Sequence, residues 1–287
     1  MGRNVFVLIS MVILMLITNT TVSADPYVSA ERAVLIDAGT GDVLYEKRAG
    51  ERALIASTTK IMTGLIASEH GNLSDIVEVS VDAATTEGSS LYLEAGEKVP
   101  LEDLIHGLIL RSGNDAAVAI AEHVGGSIPG FVYLMNEKKD WLGLTDTHFA
   151  NPHGLDDPMH YSSALDLARL MRHVQTNETM EKVMEKTSYK SSIRDYPWRN
   201  KNKLLTTYYD PATGGKTGYT KAAGRTFVSS AEKDGVTLIA VTLNAPDDWE
   251  DHRMLYEYGF EKRKDASDSS FLDRILAVFE GVFSWST

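Results

Sequence analysis

The chain has 287 residues, and its 28 Lys and Arg against 40 Asp and Glu give a formal net charge of −12 at pH 7. An acidic protein of this kind is a poor partner for nucleic acid, whose phosphates bind clusters of Lys and Arg. The chain contains no cysteine, so disulfides and a thiol nucleophile are excluded.

The first 24 residues have the layout of a secretory signal peptide. Arg3 precedes an apolar run from Val5 to Ile17, and Val22-Ser23-Ala24 offers small residues for cleavage. The run is short for a membrane span, so we expect cleavage after Ala24 rather than retention as an anchor. Loss of Arg3 would take the net charge from −12 to −13. We therefore expect an exported, extracytoplasmic protein with one globular domain over residues 25–262.

The two ends of the mature chain predict β-strands. Two apolar runs flank the turn Ala38-Gly39-Thr40-Gly41, which is typical of a hairpin. Near the other end, an Asp234-Gly235 turn lies between the runs 226–230 and 236–243. The segment between residues 57 and 185 has a mostly helical pattern. We expect an α+β fold in which the first hairpin pairs with the last strands in an antiparallel sheet, around a mostly helical middle region.

Ser57 and Lys60 have the spacing of a nucleophile and its base. Residues three apart on a helix share a face one turn apart, so the lysine amine could take the serine proton. Apolar residues at helical spacing follow them and would bury one face. Taken alone, the pattern Ser-x-x-Lys is weak evidence, because it is common by chance and recurs at Ser230-Ala231-Glu232-Lys233.

The helical pattern over residues 101–124 is interrupted by Arg111-Ser112-Gly113-Asn114-Asp115. Either Asn114 or Asp115 could cap the helix that resumes at Ala116. Further helices are predicted over residues 131–142 and 163–175.

The C-terminal residues 263–287 predict a polar linker followed by an amphipathic helix. Apolar residues recur at helical spacing from Phe271 to Phe283, with Trp285 near the end. This helix either docks on a protein surface or lies in a membrane interface as an anchor. Its polar face is poor in lysine, which counts against the anchor. The acidic run over residues 247–251 is interpreted as a solvated surface.

Three motifs occur in a fixed order, Ser57-x-x-Lys60, Ser112-Gly113-Asn114 and Lys216-Thr217-Gly218. The same order, with Ser-Asp-Asn as the middle motif, is found in β-lactamases and penicillin-binding proteins. Together with Ile55–Thr63, Arg111–Ala116, His153–Asp156 and Tyr161–Ala164, they make the chain resemble the D-alanyl-D-alanine carboxypeptidases, the low-molecular-mass penicillin-binding proteins of peptidase family S11. The resemblance covers Val28 to Phe260 and is strongest to the Gram-positive, sporulation-associated members. It implies a β-lactamase/transpeptidase-like fold.

The resemblance also implies a serine-type D-Ala-D-Ala carboxypeptidase that trims peptidoglycan stem peptides and is acylated by β-lactam antibiotics. Ser57 would be the nucleophile, Lys60 its base, and Ser112 a proton relay between Lys60 and the leaving amine. The substrate-binding residues would be Asn114, Lys216, Thr217, Gly218 and Tyr219. The backbone N–H groups of Ser57 and Tyr219 would form the oxyanion hole. No cofactor and no metal are implied.

Two other functions stay open. A β-lactamase on the same fold would need a glutamate in the loop before Lys216 to drive deacylation, and residues 151–166 contain aspartates but no glutamate. An inactive homologue would hold peptidoglycan without cleaving it, although all the expected polar residues are present.

In the loop over residues 151–166, His153 is interpreted as a histidine that braces the loop. If the C-terminal helix is an anchor, the protein would lie on the outer face of the cytoplasmic membrane.

Overall fold

The computed structural model describes residues 25–283 and the side chains of residues 25–265. The strands are β1 (Arg32–Asp37), β2 (Val43–Lys47), β3 (Ile76–Glu78), β4 (Lys98–Pro100), β5 (Ser188–Tyr189), β6 (Trp198–Arg199), β7 (Ala212–Thr220), β8 (Gly224–Lys233) and β9 (Val236–Leu243). The helices are α1 (Lys60–His70), α2 (Val81–Ala84), α3 (Leu101–Leu110), α4 (Asn114–Gly125), α5 (Ile128–Trp141), α6 (Ala164–Val174), α7 (Glu178–Met184) and α8 (Asp248–Phe283). A 3-10 turn spans Ala56–Thr59, and a π-helical turn spans Leu204–Tyr208. The predicted signal peptide, residues 1–24, and Trp285 lie outside the described residues.

Five strands form an antiparallel sheet in the order β2-β1-β9-β8-β7. The N-terminal hairpin joins the C-terminal strands through β1 and β9, where Val34 pairs with Val241. The remaining strands form two short ribbons, β3 with β4 and β5 with β6. The predicted α+β fold, with a sheet built from both chain ends around a helical middle, is therefore confirmed. Strand β7 lies at one edge of the sheet, so only one of its two sides is paired with a neighbouring strand of that sheet.

Strand β1 is buried along its length because both faces of the sheet are covered. Val34 belongs to the core formed with the helical layer, whereas Leu35 belongs to the core on the other face, with Tyr256 of α8. Alternate side chains of a strand point to opposite faces, so one apolar run supplies two cores. Helix α1 lies at the centre of the helical layer, with every residue from Lys60 to Ala67 buried.

The predicted helices over residues 131–142 and 163–175 are present as α5 and α6. The predicted capping by Asn114 or Asp115 is wrong, because Gly113 holds the N-cap position and Asn114 is already the first helical residue of α4. The Asp115 carboxylate instead accepts hydrogen bonds from the backbone N–H groups of Leu91 and Leu93. These tertiary contacts position the loop that precedes β4.

Helix α8 runs without a break from Asp248 to Phe283, so the segment 263–270 is helical rather than the predicted linker between two elements. Its polar composition suggested a linker, but it has neither Gly nor Pro to end a helix. The Arg263 guanidinium lies 2.7 Å from the Asp37 carboxylate and 3.1 Å from that of Asp42, which fastens α8 to the first hairpin. Within residues 25–283, no single helix is long and apolar enough to cross a membrane, and α4 with α5 passes that test only as a pair bent by 85°.

Part of the acidic run over residues 247–251 is buried in the fold. Its interpretation as a solvated surface is wrong for Asp248 and Asp251, each of which is 3% exposed. Asp251, in the first turn of α8, accepts hydrogen bonds from Ser29 N, Ser29 Oγ and Ala30 N at 2.6 to 2.9 Å. A buried carboxylate therefore ties the start of the described chain to α8, and the hydrogen bonds that it accepts there offset the loss of its hydration.

Candidate active site

Ser57 and Lys60 lie side by side where the 3-10 turn leads into α1. The Lys60 amine is 3.0 Å from Ser57 Oγ, as expected for residues one helical turn apart. Lys60 is fully buried, whereas Ser57 is partly exposed. A hydroxyl that a substrate can reach therefore stands next to an amine that water does not reach.

Two oxygen atoms hold the Lys60 amine in place. Asn114 Oδ1 lies 2.7 Å from it and His153 O lies 2.6 Å from it. The Asn114 amide is oriented by its other end, because Nδ2 donates to Glu87 O at 2.6 Å. The His153 imidazole braces its own loop, as predicted, by accepting a hydrogen bond from Leu155 N at Nδ1.

The surroundings of Lys60 favour its neutral form. Burial lowers the pKa of Lys60 far below the ordinary value for a lysine, and the positive charges of Lys216 and Lys201 lower it further. The Asp115 carboxylate opposes this effect without reversing it. These surroundings therefore favour a Lys60 amine that can act as a base towards the Ser57 hydroxyl.

The hydrogen bonds of a neutral Lys60 leave its lone pair free to accept a proton. A neutral amine has two N–H groups and one lone pair. Asn114 Oδ1 and His153 O can only accept, so they take the two N–H groups. The lone pair is then left for the Ser57 hydroxyl, whose proton it can remove.

Lys216 and Ser112 form a second pair beside the first. The Lys216 amine donates to Ser112 Oγ at 3.0 Å and to Thr217 O at 2.7 Å. Ser112 has a backbone φ of +66°, in the left-handed region that residues with a side chain seldom adopt. Burial, followed by the charge of Lys201, lowers the pKa of Lys216 to about 7. Because these contacts join Ser112 to Lys216, the predicted bridge from Ser112 to Lys60 stays a prediction.

Lys201 is a candidate that the sequence analysis missed. Its amine lies 3.3 Å from Ser89 Oγ, and its charge lowers the pKa of both Lys60 and Lys216. Partial burial and the neighbouring Arg111 lower the pKa of Lys201 itself. A lysine in the irregular segment after β6 has no spacing relation to the three motifs, so no sequence signal marks it. The charges of Lys201 and of protonated Lys216 favour an anionic ligand at this end of the site.

Strand β7 presents the third motif at the edge of the sheet, against the 3-10 turn. Gly218 has no room for a side chain, because a Cβ there would lie 2.7 Å from Ser57 N and 2.5 Å from Thr226 Oγ1. Thr217 is half-buried and Tyr219 is exposed. An edge strand leaves one row of backbone groups without a strand partner, and an extended peptide can pair with that row.

Two loops meet beside these residues. A Cβ on Gly88 would lie 2.6 Å from Asn114 Nδ2 and 4.0 Å from Leu155 Cδ2, so loops 85–93 and 151–156 come close to each other there. Thr220, the last residue of β7, donates to Asp156 Oδ1 at 2.8 Å. The structure thus brings the eight predicted site residues into one region, enclosed by the turn, α4, β7 and these loops.

Comparison with known proteins identifies the family of this site. A family model described as D-alanyl-D-alanine carboxypeptidase matches residues 18–247. The D-alanyl-D-alanine carboxypeptidase DacF of Bacillus subtilis is 40% identical over 225 residues, which are 75% of this chain and 57% of DacF. The chain therefore spans less than two thirds of the length of that relative.

Solved structures agree with the sequence comparison. A D-alanyl-D-alanine carboxypeptidase from Mycobacterium tuberculosis superimposes with a TM-score of 0.80 at 30% identity, covering 84% of this chain and 95% of that one. A variant of the Streptomyces K15 DD-transpeptidase gives a TM-score of 0.79 at 30% identity, covering 83% of this chain and 100% of that one. These neighbours confirm the predicted β-lactamase/transpeptidase-like fold. The chain belongs to the D-alanyl-D-alanine carboxypeptidase family, peptidase family S11.

Proposed function

We propose that the protein is a serine-type D-Ala-D-Ala carboxypeptidase, which removes the terminal D-alanine from peptidoglycan stem peptides through an acyl-enzyme on Ser57. The observation that carries this proposal is the Lys60 amine, which is buried, favoured in its neutral form, and 3.0 Å from Ser57 Oγ. A serine hydroxyl is a weak nucleophile until a neighbouring base removes its proton. Family membership supplies the substrate class.

In the acylation step, Ser57 Oγ attacks the carbonyl carbon between the two D-alanines as its proton passes to Lys60. The C–N bond then breaks, and the proton moves from Lys60 to the leaving amine, with Ser112 as the relay. D-Alanine departs, and the shortened peptide stays bound to Ser57 as an ester. Water then hydrolyses this ester, which releases the peptide and restores the Ser57 hydroxyl. The protonated Lys216, 3.0 Å from Ser112 Oγ, lies where the terminal carboxylate of the substrate would be held together with Thr217.

The substrate would lie extended along β7. Pairing with the free edge of the strand would hold its backbone in register, and Gly218 allows the approach to be close. The N–H groups of Ser57 and Tyr219 would stabilise the oxyanion, and Asn114 would bind the substrate amide. Interactions that develop only in the transition state raise the rate of the chemical step.

A carboxypeptidase is favoured over a β-lactamase by the loop over residues 151–166, which contains no glutamate to activate water for rapid hydrolysis of a penicilloyl ester. Its aspartates accept hydrogen bonds within the fold: Asp156 from Thr220, Asp157 from Met159 N, and Asp166 from Asp146 N. We therefore expect β-lactams to acylate Ser57 and to stay attached.

A paired assay tests the proposal. Release of D-alanine from diacetyl-Lys-D-Ala-D-Ala is measured beside penicillin turnover and labelling by a fluorescent penicillin. We expect D-alanine release, slow penicillin turnover, and loss of both label and peptidase activity in Ser57→Ala but not in the matched control Ser230→Ala. Penicillin turnover faster than peptide turnover would identify a β-lactamase, and a folded protein with no activity or label would identify an inactive homologue.

We further propose, from the sequence alone, export through the predicted signal peptide and a place among the Gram-positive, sporulation-associated members. The amphipathic C-terminal pattern supports attachment to the outer face of the cytoplasmic membrane. The large apolar residues of 271–283 would supply most of the affinity, since few cationic residues accompany them.

A further inference from the structure

The residue before the nucleophile has an unfavourable backbone conformation. Ala56 has a φ of +46°, in the left-handed region where the Cβ of an L-residue crowds its own backbone. Such conformations persist only where the surrounding structure imposes them. Ala56 is buried, so the contacts that impose this conformation lie inside the protein and can be identified.

The Ala56 carbonyl is held from two sides. Thr59 Oγ1 donates to Ala56 O at 2.8 Å. On the other side lies Gly154, where a Cβ would fall 2.0 Å from Ala56 O, so this carbonyl lies against the bare backbone of the 151–156 loop. The preceding carbonyl, Ile55 O, has its own side-chain donors in Thr58 and Thr226. Thr59 is therefore the side-chain donor assigned to Ala56.

The direction of this carbonyl determines the direction of the Ser57 N–H. A trans peptide is planar, so its C=O and N–H point in opposite directions. With Ala56 O turned towards Thr59 and Gly154, the Ser57 N–H points the other way, towards β7. The contact at β7 is close, because a Cβ on Gly218 would lie 2.7 Å from Ser57 N.

Behind Thr59 stands His160, which is 1% exposed. Its Nδ1 accepts a hydrogen bond from Ala150 N at 3.0 Å, so Nδ1 has no proton. The proton of the neutral imidazole is then on Nε2, which lies 2.7 Å from Thr59 Oγ1 and donates to it. Burial lowers the pKa of His160 to about 4, in keeping with this neutral form. The direction of every bond is thus fixed, from Ala150 through His160 and Thr59 to Ala56.

We propose that His160 is a positioning residue for the reaction: through Thr59 it fixes the Ala56 carbonyl and thereby aims the Ser57 N–H at the substrate oxyanion. The inference rests on the proposed function, in which this N–H is one of two oxyanion donors. His160 does not touch the reacting atoms. It holds the strained peptide between Ala56 and Ser57 in the orientation that points the Ser57 N–H at the substrate oxyanion.

Two amide variants of His160 separate this role from a packing role. The amide of Gln reaches the place of Nε2 and keeps a donor for Thr59, whereas the amide of Asn reaches only the place of Nδ1 and keeps the acceptor for Ala150. We expect His160→Asn to lower kcat and the rate of acylation by a fluorescent penicillin by about 10- to 100-fold, since loss of a whole oxyanion donor costs 10²–10³. We expect KM to change by less than about 3-fold and His160→Gln to stay near wild type, because the lost interaction exists only in the transition state.

Thr59 provides a second test that does not depend on the folding of the His160 variants. Thr59→Ser keeps the hydroxyl, whereas Thr59→Val keeps the shape and removes it. We expect Thr59→Val to lose activity as His160→Asn does, and the double variant to lose little more, because both interrupt one chain of hydrogen bonds. Thr59→Ser should retain the activity.

His252 is the matched control. It is also fully buried, and it lies between Ser229 Oγ at 2.6 Å and Thr242 Oγ1 at 3.0 Å, on the face of the sheet covered by α8. His252→Asn should lower the melting temperature while leaving kcat and acylation unchanged. If His160→Asn and Thr59→Val behave like this control, the inference is wrong. If wild-type protein itself is not acylated at Ser57, the proposed function fails first, and the two failures are therefore distinguishable.

Discussion

Asn114 Oδ1 lies 2.7 Å from the Lys60 amine, and this contact joins the second motif to the first. The neutral amide accepts an N–H from Lys60 without adding charge. A carboxylate of the same shape would accept the same hydrogen bond but would favour the ammonium form of Lys60. The choice of asparagine over aspartate at this position therefore bears directly on the protonation of the base.

Asn114→Asp should impair the reaction through the pKa of Lys60. An opposite charge in contact raises the pKa of an amine, so a larger fraction of Lys60 would be protonated at neutral pH. We expect kcat/KM at pH 7 to fall, and the acid limb of its pH profile to move to higher pH by about 1 unit or more. Activity should recover partly as the pH is raised. A uniform loss at every pH would point to lost substrate contacts instead.

Lys201→Ala should move the pH profile in the same direction for a different reason. The proposed reaction needs Lys60 neutral and Lys216 protonated, so kcat/KM should rise with pH through the pKa of the first and fall through that of the second. Lys201 lowers both values by like-charge repulsion. Its removal should shift both limbs to higher pH, by up to about 1 unit. Unchanged limbs with a raised KM would show that Lys201 only binds the substrate.

Lys216→Met should remove activity and stabilise the fold. The pKa of Lys216 is about 7 in the folded protein against 10.5 ordinarily, so between these values the unfolded chain binds a proton that the folded one lacks. The resulting cost to folding is complete below pH 7 and vanishes above pH 10.5. We expect the free energy of unfolding of the variant to exceed that of wild type by about 1–4 kcal/mol at pH 6.5, and the gain to shrink towards pH 10.

Urea denaturation at pH 6.5 and pH 9.5 measures that difference for Lys216→Met. A matched variant, Lys203→Met, changes an exposed lysine in the preceding segment and should alter stability little at either pH. A Lys216→Met protein less stable than wild type at pH 6.5 would show that the hydrogen bonds of Lys216 outweigh its burial.

Deletion of residues 266–287 tests the proposed membrane attachment. The deleted form retains Arg263 and its contacts with Asp37 and Asp42. It therefore keeps the first part of α8, which packs on the domain. We expect full-length mature protein to sediment with liposomes of anionic and zwitterionic lipid, and the deleted form to stay in solution with unchanged peptide turnover. Aggregation or lost activity of the deleted form would place the helix in the core of the domain.

The site could be predicted where function depends on spacing along the chain. Ser57 and Lys60 are neighbours by helix geometry, and the family motifs located Ser112, Asn114 and Lys216. Lys201 could not be found in this way, because its effect on the other amines arises only when the segment after β6 folds beside them. The same limit applies to His160, whose position behind Thr59 is a tertiary contact over a hundred residues.

The fold could be predicted where local pattern and tertiary structure agree. The hairpins at both ends have strong turn signals, and their strands meet in one sheet. The local pattern offers either Asn114 or Asp115 as a cap, because it cannot show that the Asn114 side chain contacts Lys60. Residues 263–270 were interpreted as a linker from their polarity, although they contain no residue that ends a helix. Polarity reports solvent exposure more reliably than it reports the end of a helix.

The unbroken axis of α8 has a consequence for how the protein would stand on a membrane. Its first half packs on the sheet face that includes Leu35, whereas α1 and the nucleophile belong to the opposite face with Val34. If the proposed anchor lies flat in the lipid interface, a continuous helix holds its packed half parallel to the same plane. The sheet would then separate the lipid from the catalytic cleft.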